Sequence, residues 1–514
     1  MRMHGERFMF GFDGDAVGVS IEKMITDCRI SGVVLFSRNI KNAHQLAALC
    51  RELQAVQKRV SALPLIIAVD QEGGGVNRIA DGATHFPAPM AVAATGDVDL
   101  ATRVGYVMGC QLMRLGVNVN FAPVLDINAS KNNPVIGVRS FGENPEQVAA
   151  FGAAMVRGME RSGVASVAKH FPGIGSVERD PHAETPVIAK SARELEREDL
   201  VPFARAVDAG VSGIMISHAR YPALSASPAS LSGTIVRGLL REKLRFSGLA
   251  VTDDLEMGAL SASQPAGNTA VEACRAGADL LLVCHSGAAQ ASAMADVTRA
   301  LEGGNLRHEN VQRALERLRA FRERLLARLT AAQPEAPEDG EDLAREVAER
   351  AITRVSDNEK ILPLRLGAGD KLLVLSPAPG PLTAVEDGAA SGATLAGFIG
   401  ARHPMTEMVS FEIVPSRDDF DRVRRALGGA CAVVMGTCNA HLYGEQARLV
   451  REVAAAGKPT VFVALRNPYD AELYPSRAAR LATYGSDGHT LAALAGVIFG
   501  ELAPRGKLPV RLNL

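Results

Sequence analysis

ASVAKHF (Ala165–Phe171), ARELEREDLVPFARAVDAG (residues 192–210) and SGIMISH (Ser212–His218) follow one another as strand, helix and strand. The two outer runs are apolar without alternation, as in a strand covered on both faces, and the segment between them is amphipathic. Together they make one parallel β/α unit. The same alternation continues outward. On the N-terminal side lie GVVLF (Gly32–Phe36), LIIAVD (Leu65–Asp70) and VNVNFAPVLD (Val117–Asp126). On the C-terminal side lie LAVTDDL (Leu249–Leu255) and ADLLLVC (Ala278–Cys284). Helix-like text such as AHQLAALCRELQAVQKR (residues 43–59) separates most of these runs. An eighth, closing strand is expected at Phe8–Phe12. The expected fold class is therefore α/β, a (β/α)8 TIM-like barrel over residues 1–330. An open doubly wound sheet is the alternative that strand counting leaves standing.

TAAQPEAPEDGED (residues 330–342) is rich in Ala, Pro and acid and reads as a solvated linker, placed at 331–342. The alternation then restarts with KLLVLS, CAVVMG, PTVFVAL and LATYG, which predicts a smaller α/β sandwich domain over 343–514. A chain of 514 residues is long enough for two such domains. Its 47% hydrophobic and 22% charged residues suit a soluble globular protein. A net charge of -1 gives no electrostatic case for nucleic acid or an anionic membrane as partner. The seven cysteines are scattered without metal-ligand spacing and read as buried thiols in a reducing compartment. The start MRMHGERFMFGFDGDAV lacks the apolar run of a signal peptide, and no stretch approaches the ~18 apolar residues of a membrane helix. A cytoplasmic location is expected.

Chemistry in a barrel gathers at the carboxyl ends of the strands. Asp70 ends LIIAVD, Lys169 and His170 fall near the end of ASVAKHF, His218 ends SGIMISH, and Asp253 and Asp254 end LAVTDD. A strand-end Asp often caps the next helix, so each alone is ordinary. Six such groups at four strand ends together point to a site. The most informative segment is KHFPGIGSVERDPHAETP (Lys169–Pro186). Its Asp180 and His182 stand two apart, close enough for the carboxylate to orient the imidazole and make it a proton carrier near neutral pH. An incidental Asp-Pro-His in a surface loop is the bland alternative.

KHFPG with D-x-H at this offset resembles the β-N-acetylglucosaminidases of glycoside hydrolase family 3. GVVLFSRNI, AVDQEGG, FAPVLDIN, RSFG, SHARYP, PASLS and VTDDLEMGAL extend the resemblance in order through the first half. RNPYD and GKLPV do so in the second, so it covers nearly the whole chain. It implies a barrel followed by an α/β sandwich, with Asp253 as nucleophile and His182 as acid/base, oriented by Asp180. It further implies that Asp70, Arg139, Lys169 and His170 bind substrate hydroxyls, and that His218 lines the pocket, although a satisfied structural histidine is about as common. Asp254 keeps the reading of a helix cap. No metal or organic cofactor is implied.

The implied reaction is retaining hydrolysis. Asp253 attacks the anomeric carbon while His182 protonates the leaving oxygen, and His182 then deprotonates the acceptor. The expected substrates are β-linked N-acetylglucosaminides, from muropeptides or chito-oligosaccharides. A phosphorylase using inorganic phosphate as acceptor is an alternative, because imidazole does not repel a phosphate dianion as a carboxylate base does. A non-catalytic amino-sugar-binding protein is another. Three positions depart from the family pattern: Gly75 where Arg is common, Val138 where Asp is common, and Ile174 where His is common. All three remove polar groups near the pocket and bear on subsite specificity. In the second half, GTCNAHLYGEQ (Gly436–Gln446) carries Asn439 and His441 past a strand end. These either cap the next helix or lean over the barrel mouth.

Overall fold

The computed structural model describes residues 5–178, 185–261, 265–331, 335–336, 338–378, 380–383, 385–386 and 394–514. In the first half, parallel strands form a closed barrel of eight: β1 (Phe8–Phe10), β2 (Gly32–Leu35), β3 (Ile66–Val69), β4 (Val119–Asn120), β5 (Ala165–Phe171), β6 (Gly213–Ile216), β7 (Leu249–Asp254) and β8 (Leu280–Val283). Each pairs with the next, and β1 closes the ring by pairing Met9 with both Leu282 and Gly32. The open sheet is excluded. Strand side chains alternate between two cores. Val34, Ile66, Ala68, Val167 and Val251 fill the barrel, whereas Val33, Leu35, Ile67 and Val69 face the surrounding helices. Both faces are dry, which is why these strands read as unbroken apolar runs.

Expected strand 117–126 is shorter than the sequence suggested, with regular pairing only at Val119–Asn120. Pro123 has no N–H to continue the ladder. Beyond it the chain stays alongside β5 through Leu125 N–H donating to the Lys169 carbonyl at 2.6 Å, which delivers Asp126 to the barrel mouth. The helices follow from their caps and faces. In Ala43–Lys58 the Asn42 side chain accepts from Gln45 N–H, and Leu46, Leu49, Leu53 and Val56 form the buried stripe. In Pro145–Ser162 Asn144 caps the start, Pro145 is the first helical residue, and Gly163 (φ 96°) ends it in the left-handed conformation. His308–Thr330 covers the amino end of the barrel, packing Leu318, Phe321 and Leu325 onto the strands' inner residues.

The second sheet holds β9 (Thr353–Ser356), β10 (Leu372–Pro377), β11 (Thr406–Phe411), β12 (Ala432–Thr437), β13 (Thr460–Ala464) and β14 (Ala479–Ala482). Their order is β9-β14-β13-β12-β10-β11, with β9 antiparallel to β14 and the other pairs parallel. Helices cover both faces, with Phe420 and Leu449 on one side and Leu491 and Leu494 on the other. This is the α/β sandwich. Its first core also takes Met90, Ala91 and Val138 from the barrel, so the two halves share an apolar interface.

The tract expected as a solvated linker is partly ordered onto the barrel. A helix, Gly340–Ala351, starts inside it behind an Asp339 cap, and Arg103 holds Glu338 at 2.5 Å and Glu346 at 2.8 Å. Among the described residues no helix is long and apolar enough to cross a membrane.

Candidate active site

A cavity of about 520 Å³ opens at the carboxyl ends of the barrel strands. Asp70, Arg139, Lys169, His170, His218 and Asp253, six of the eight residues singled out from the sequence, line it. Asp180 and His182 lie outside the described residues. The described stretch that follows them is anchored. The Thr185 hydroxyl donates to the carbonyl of Ala259, in the short helix after β7, and Arg220 N–H donates to the Pro186 carbonyl at 2.9 Å.

One wall is a chain of opposite charges. Lys169 Nζ stands 2.5 Å from Asp70 Oδ1 and 2.6 Å from Glu72 Oε1. Arg139 grips Glu72 through two bonds of 2.8 Å, Nε to Oε2 and Nη2 to Oε1. Arg78 approaches the other Asp70 oxygen at 3.9 Å. Burial pushes the Glu72 carboxyl up, but Arg139 and Lys169 outweigh it and hold it well below the usual carboxylate range. Burial would lower the Lys169 ammonium, and Asp70 with Glu72 raises it instead. Glu72, Arg139 and Lys169 therefore stay charged, and the wall presents both donors and acceptors to the cavity.

Asp126 orients His170. Its Oδ2 accepts from His170 N–H at 3.1 Å and lies 2.7 Å from the ring Nδ1, while its Oδ1 accepts from Ile174 N–H at 2.7 Å. That leaves His170 Nε2 as the nitrogen available to a ligand. His218 is buried and committed. Its Nε2 faces the Asp254 carbonyl at 2.9 Å, which can only accept, so Nε2 carries the proton and Nδ1 accepts from the Ser230 hydroxyl at 2.7 Å. Burial lowers its pKa despite nearby Asp253, so the ring is neutral. His218 therefore lines the cavity with both nitrogens occupied by protein, and it braces the Asp254–Leu255 peptide.

Asp253 is half-buried at the end of β7, and its Oδ1 accepts from Asp254 N–H at 2.9 Å. Asp254 uses its carboxylate to hold the neighbouring loop. Oδ1 accepts from Glu256 N–H and Cys284 N–H, each at 3.2 Å, and Oδ2 lies 3.3 Å from His285 Nε2. The reading of Asp254 as a local cap fits this geometry.

Sequence reasoning missed Arg78 and four further contributors. Glu72 and Asp126 stand inside the quoted motifs AVDQEGG and FAPVLDIN and were passed over beside more conspicuous neighbours. Val385 and Glu386 reach the cavity from the second domain. The Val385 carbonyl accepts from Arg78 Nη1 at 2.7 Å, and Glu386 pairs with Arg466 at 2.5 Å. His441, the second-domain candidate, is not a cavity residue. Its Nδ1 lies 2.7 Å from Asp470 Oδ1, and its Nε2 lies 3.0 Å from the Lys131 carbonyl, so it ties the two halves together. Ile174 packs its side chain into the apolar cluster behind β5 and β6. A Cβ on Gly75 would stand 2.9 Å from Glu386 Oε1, so the second domain fills the place where a side chain is missing.

The comparisons with known proteins agree with this architecture. Residues 14–321 match the glycosyl hydrolase family 3 N terminal domain and residues 357–513 its C-terminal domain. The β-hexosaminidase A of Pseudoalteromonas piscicida is 33% identical over 561 aligned residues, 96% of this chain and 91% of that protein. The β-hexosaminidase of Alkalilimnicola ehrlichii is 38% identical over 283 residues, 54% of this chain and 80% of that protein. The structure of a family 3 β-N-acetylglucosaminidase from Paenibacillus sp. str. FPU-7 superposes with a TM-score of 0.93 at 33% identity, covering 99% of this chain and 98% of that one. On its two matched domains and its full-length relatives, the chain belongs to glycosyl hydrolase family 3.

Proposed function

We propose that the protein is a retaining β-N-acetylhexosaminidase that releases β-linked N-acetylglucosamine, with Asp253 as nucleophile and His182, oriented by Asp180, as acid/base. The observation that carries this reading is the placement of Asp253 on the same cavity as the Asp70–Lys169–Glu72–Arg139 chain. A carboxylate there faces an array that can hold a sugar ring by its hydroxyls, and holding the ring in line lowers the barrier to attack. The Asp254 N–H bond holds the Asp253 carboxyl group in one orientation. A retaining mechanism needs the proton donor within reach of the bond that Asp253 attacks, ~5 Å across the sugar.

Substrate is a small carbohydrate, drawn from muropeptides or chito-oligosaccharides. The cytoplasm is the compartment we assign, because the seven cysteines are free thiols and most of them are buried. The test is hydrolysis of a chromogenic β-N-acetylglucosaminide followed by proton NMR, with and without phosphate. The expected first product is the β-anomer of N-acetylglucosamine in both conditions. No turnover, or the α-anomer first, refutes the assignment. A phosphate-dependent sugar 1-phosphate makes the protein a phosphorylase.

A further inference from the structure

The four central strands of the sandwich sheet, β10, β12, β13 and β14, all begin around one cavity of about 680 Å³, larger than the sugar cavity. Asp370, Cys431, Pro459 and Ala478, which lie just before those strands, line it. The sugar cavity meets the sheet at the opposite end. Its residue Glu386 pairs with Arg466, two positions past the end of β13. The five residues of β13 set the two cavities ~17 Å apart along the strand.

The wall of the larger cavity is basic. Four cations line it, Lys360, Arg365, Lys458 and Arg477, against two acids, Glu359 and Asp370. In a chain with a net charge of -1 this is a local excess of positive charge. Asp370 Oδ2 already accepts from Gly367 N–H at 2.6 Å. Among the described residues no carboxylate forms an ion pair with any of the four cations. A fifth cation stands next to the wall. Arg480 is only 8% exposed, and its Nε donates to the carbonyl of Pro475, a wall residue, at 3.3 Å. Burial lowers its pKa, and no opposing charge raises it. A buried guanidinium without a counter-charge is costly, and an approaching anion relieves that cost. Ile361, Pro363 and Leu364 add an apolar stretch beside the cations.

We propose that this cavity is a binding site for a small organic phosphate, separate from the sugar site. Several cations around one hollow suit a group of about two negative charges with three acceptor oxygens better than a single carboxylate. The volume falls in the ~300–1,000 Å³ range of small-molecule pockets, and the apolar stretch takes the uncharged body of the ligand. Lys360, Arg365 and Arg477 are exposed, so binding is salt-sensitive.

The experiment is titration calorimetry of the protein with AMP, adenosine and inorganic phosphate as probes. AMP is expected to bind one per chain, several-fold tighter than inorganic phosphate, and adenosine is expected not to bind. Raising the ionic strength from ~0.01 to ~0.1 M, which shortens the screening length from ~30 to ~10 Å, should weaken AMP several-fold. Lys360→Glu with Arg365→Glu reverses two exposed charges and should raise the Kd for AMP about tenfold or more, with turnover of a chromogenic glycoside unchanged. No saturable binding of AMP or phosphate overturns the proposal, as does an affinity that the double variant leaves unmoved. Displacement of AMP by N-acetylglucosamine would put the phosphate in the sugar cavity and overturn it too. Inorganic phosphate bound as tightly as AMP would refute the assignment to an organic phosphate.

Discussion

The backbone N–H of Asp254 donates to Asp253 Oδ1 at 2.9 Å, while the carboxylate of Asp254 is spent on Glu256 N–H, Cys284 N–H and His285. The adjacent acids thus divide their duties: Asp253 faces the cavity and Asp254 holds the loop. Asp253→Ala should lower kcat by about three orders of magnitude or more with an unchanged melting temperature. Asp254→Ala should cost activity less and stability more. Measuring kcat and thermal unfolding for both variants tests the division, and a more severe loss of kcat in Asp254→Ala refutes it.

His182→Ala should discriminate between substrates by their leaving groups. A good leaving group departs without a proton, so glycosylation of Asp253 survives while poorly activated substrates fail. Azide should then intercept the glycosyl-enzyme and restore turnover as a β-glycosyl azide. Equal losses on both substrate types, without an azide product, would assign His182 a structural role.

Glu72 joins Arg139 to Lys169 inside the cavity wall. Glu72→Gln keeps the shape and removes the charge, leaving two buried cations short of one partner. The expected cost is about 3 kcal/mol of unfolding free energy, with KM for the sugar raised more than kcat is lowered. Chemical denaturation and steady-state kinetics measure the two effects. A variant with unaltered stability and KM would show that the chain of charges is not a unit.

Asp199 gives a pH signature outside the catalytic groups. Burial pushes its carboxyl up to about 6 against the pull of Lys190, 2.6 Å away. The folded protein therefore holds this proton where the unfolded chain, near 3.8, has released it. Such a raised acid adds stability as pH falls from about 7 toward about 4. Asp199→Asn should lack that increment, so its stability relative to the natural protein should be higher near pH 7.5 than near pH 5 in urea unfolding. Parallel pH profiles for the two proteins would contradict the burial argument.

Asn439→Ala with His441→Ala should leave KM close to its natural value and lower the melting temperature. His441 bridges Asp470 to the Lys131 carbonyl and does not line the cavity. A chain ended near residue 330 should aggregate, because Met90, Ala91 and Val138 would lose the sandwich core that covers them. A KM raised several-fold in the double variant, or a soluble monomeric barrel, would overturn this account of the interface.

The barrel strands were legible because burial on both faces leaves an apolar run that polar punctuation brackets. β9 and β11 were not, because they lie at sheet edges with most of their side chains only partly buried, and TRVS and TEMVSF carry no such run. Asp70, Lys169, His170, His218 and Asp253 were legible from strand ends, where barrel geometry makes position nearly equivalent to function. Glu72 was harder, since its importance lies in meeting Arg139, 67 residues away. Val385 and Glu386 reach the cavity from across the domain interface, and no local pattern in the chain encodes that approach. The sequence leaves His218 open between a pocket residue and a satisfied structural histidine, and its tautomer and its grip on the Asp254 carbonyl needed coordinates.

Glu386 stands in the sugar cavity although it belongs to the half of the chain translated last. A nascent barrel emerging from the ribosome already carries Asp253, Lys169 and Arg139, yet one wall of its pocket has still to be synthesised. Evolution inherits the same separation: exchange or drift in the later half can retune what the enzyme accepts without disturbing the strands on which its bond-breaking depends.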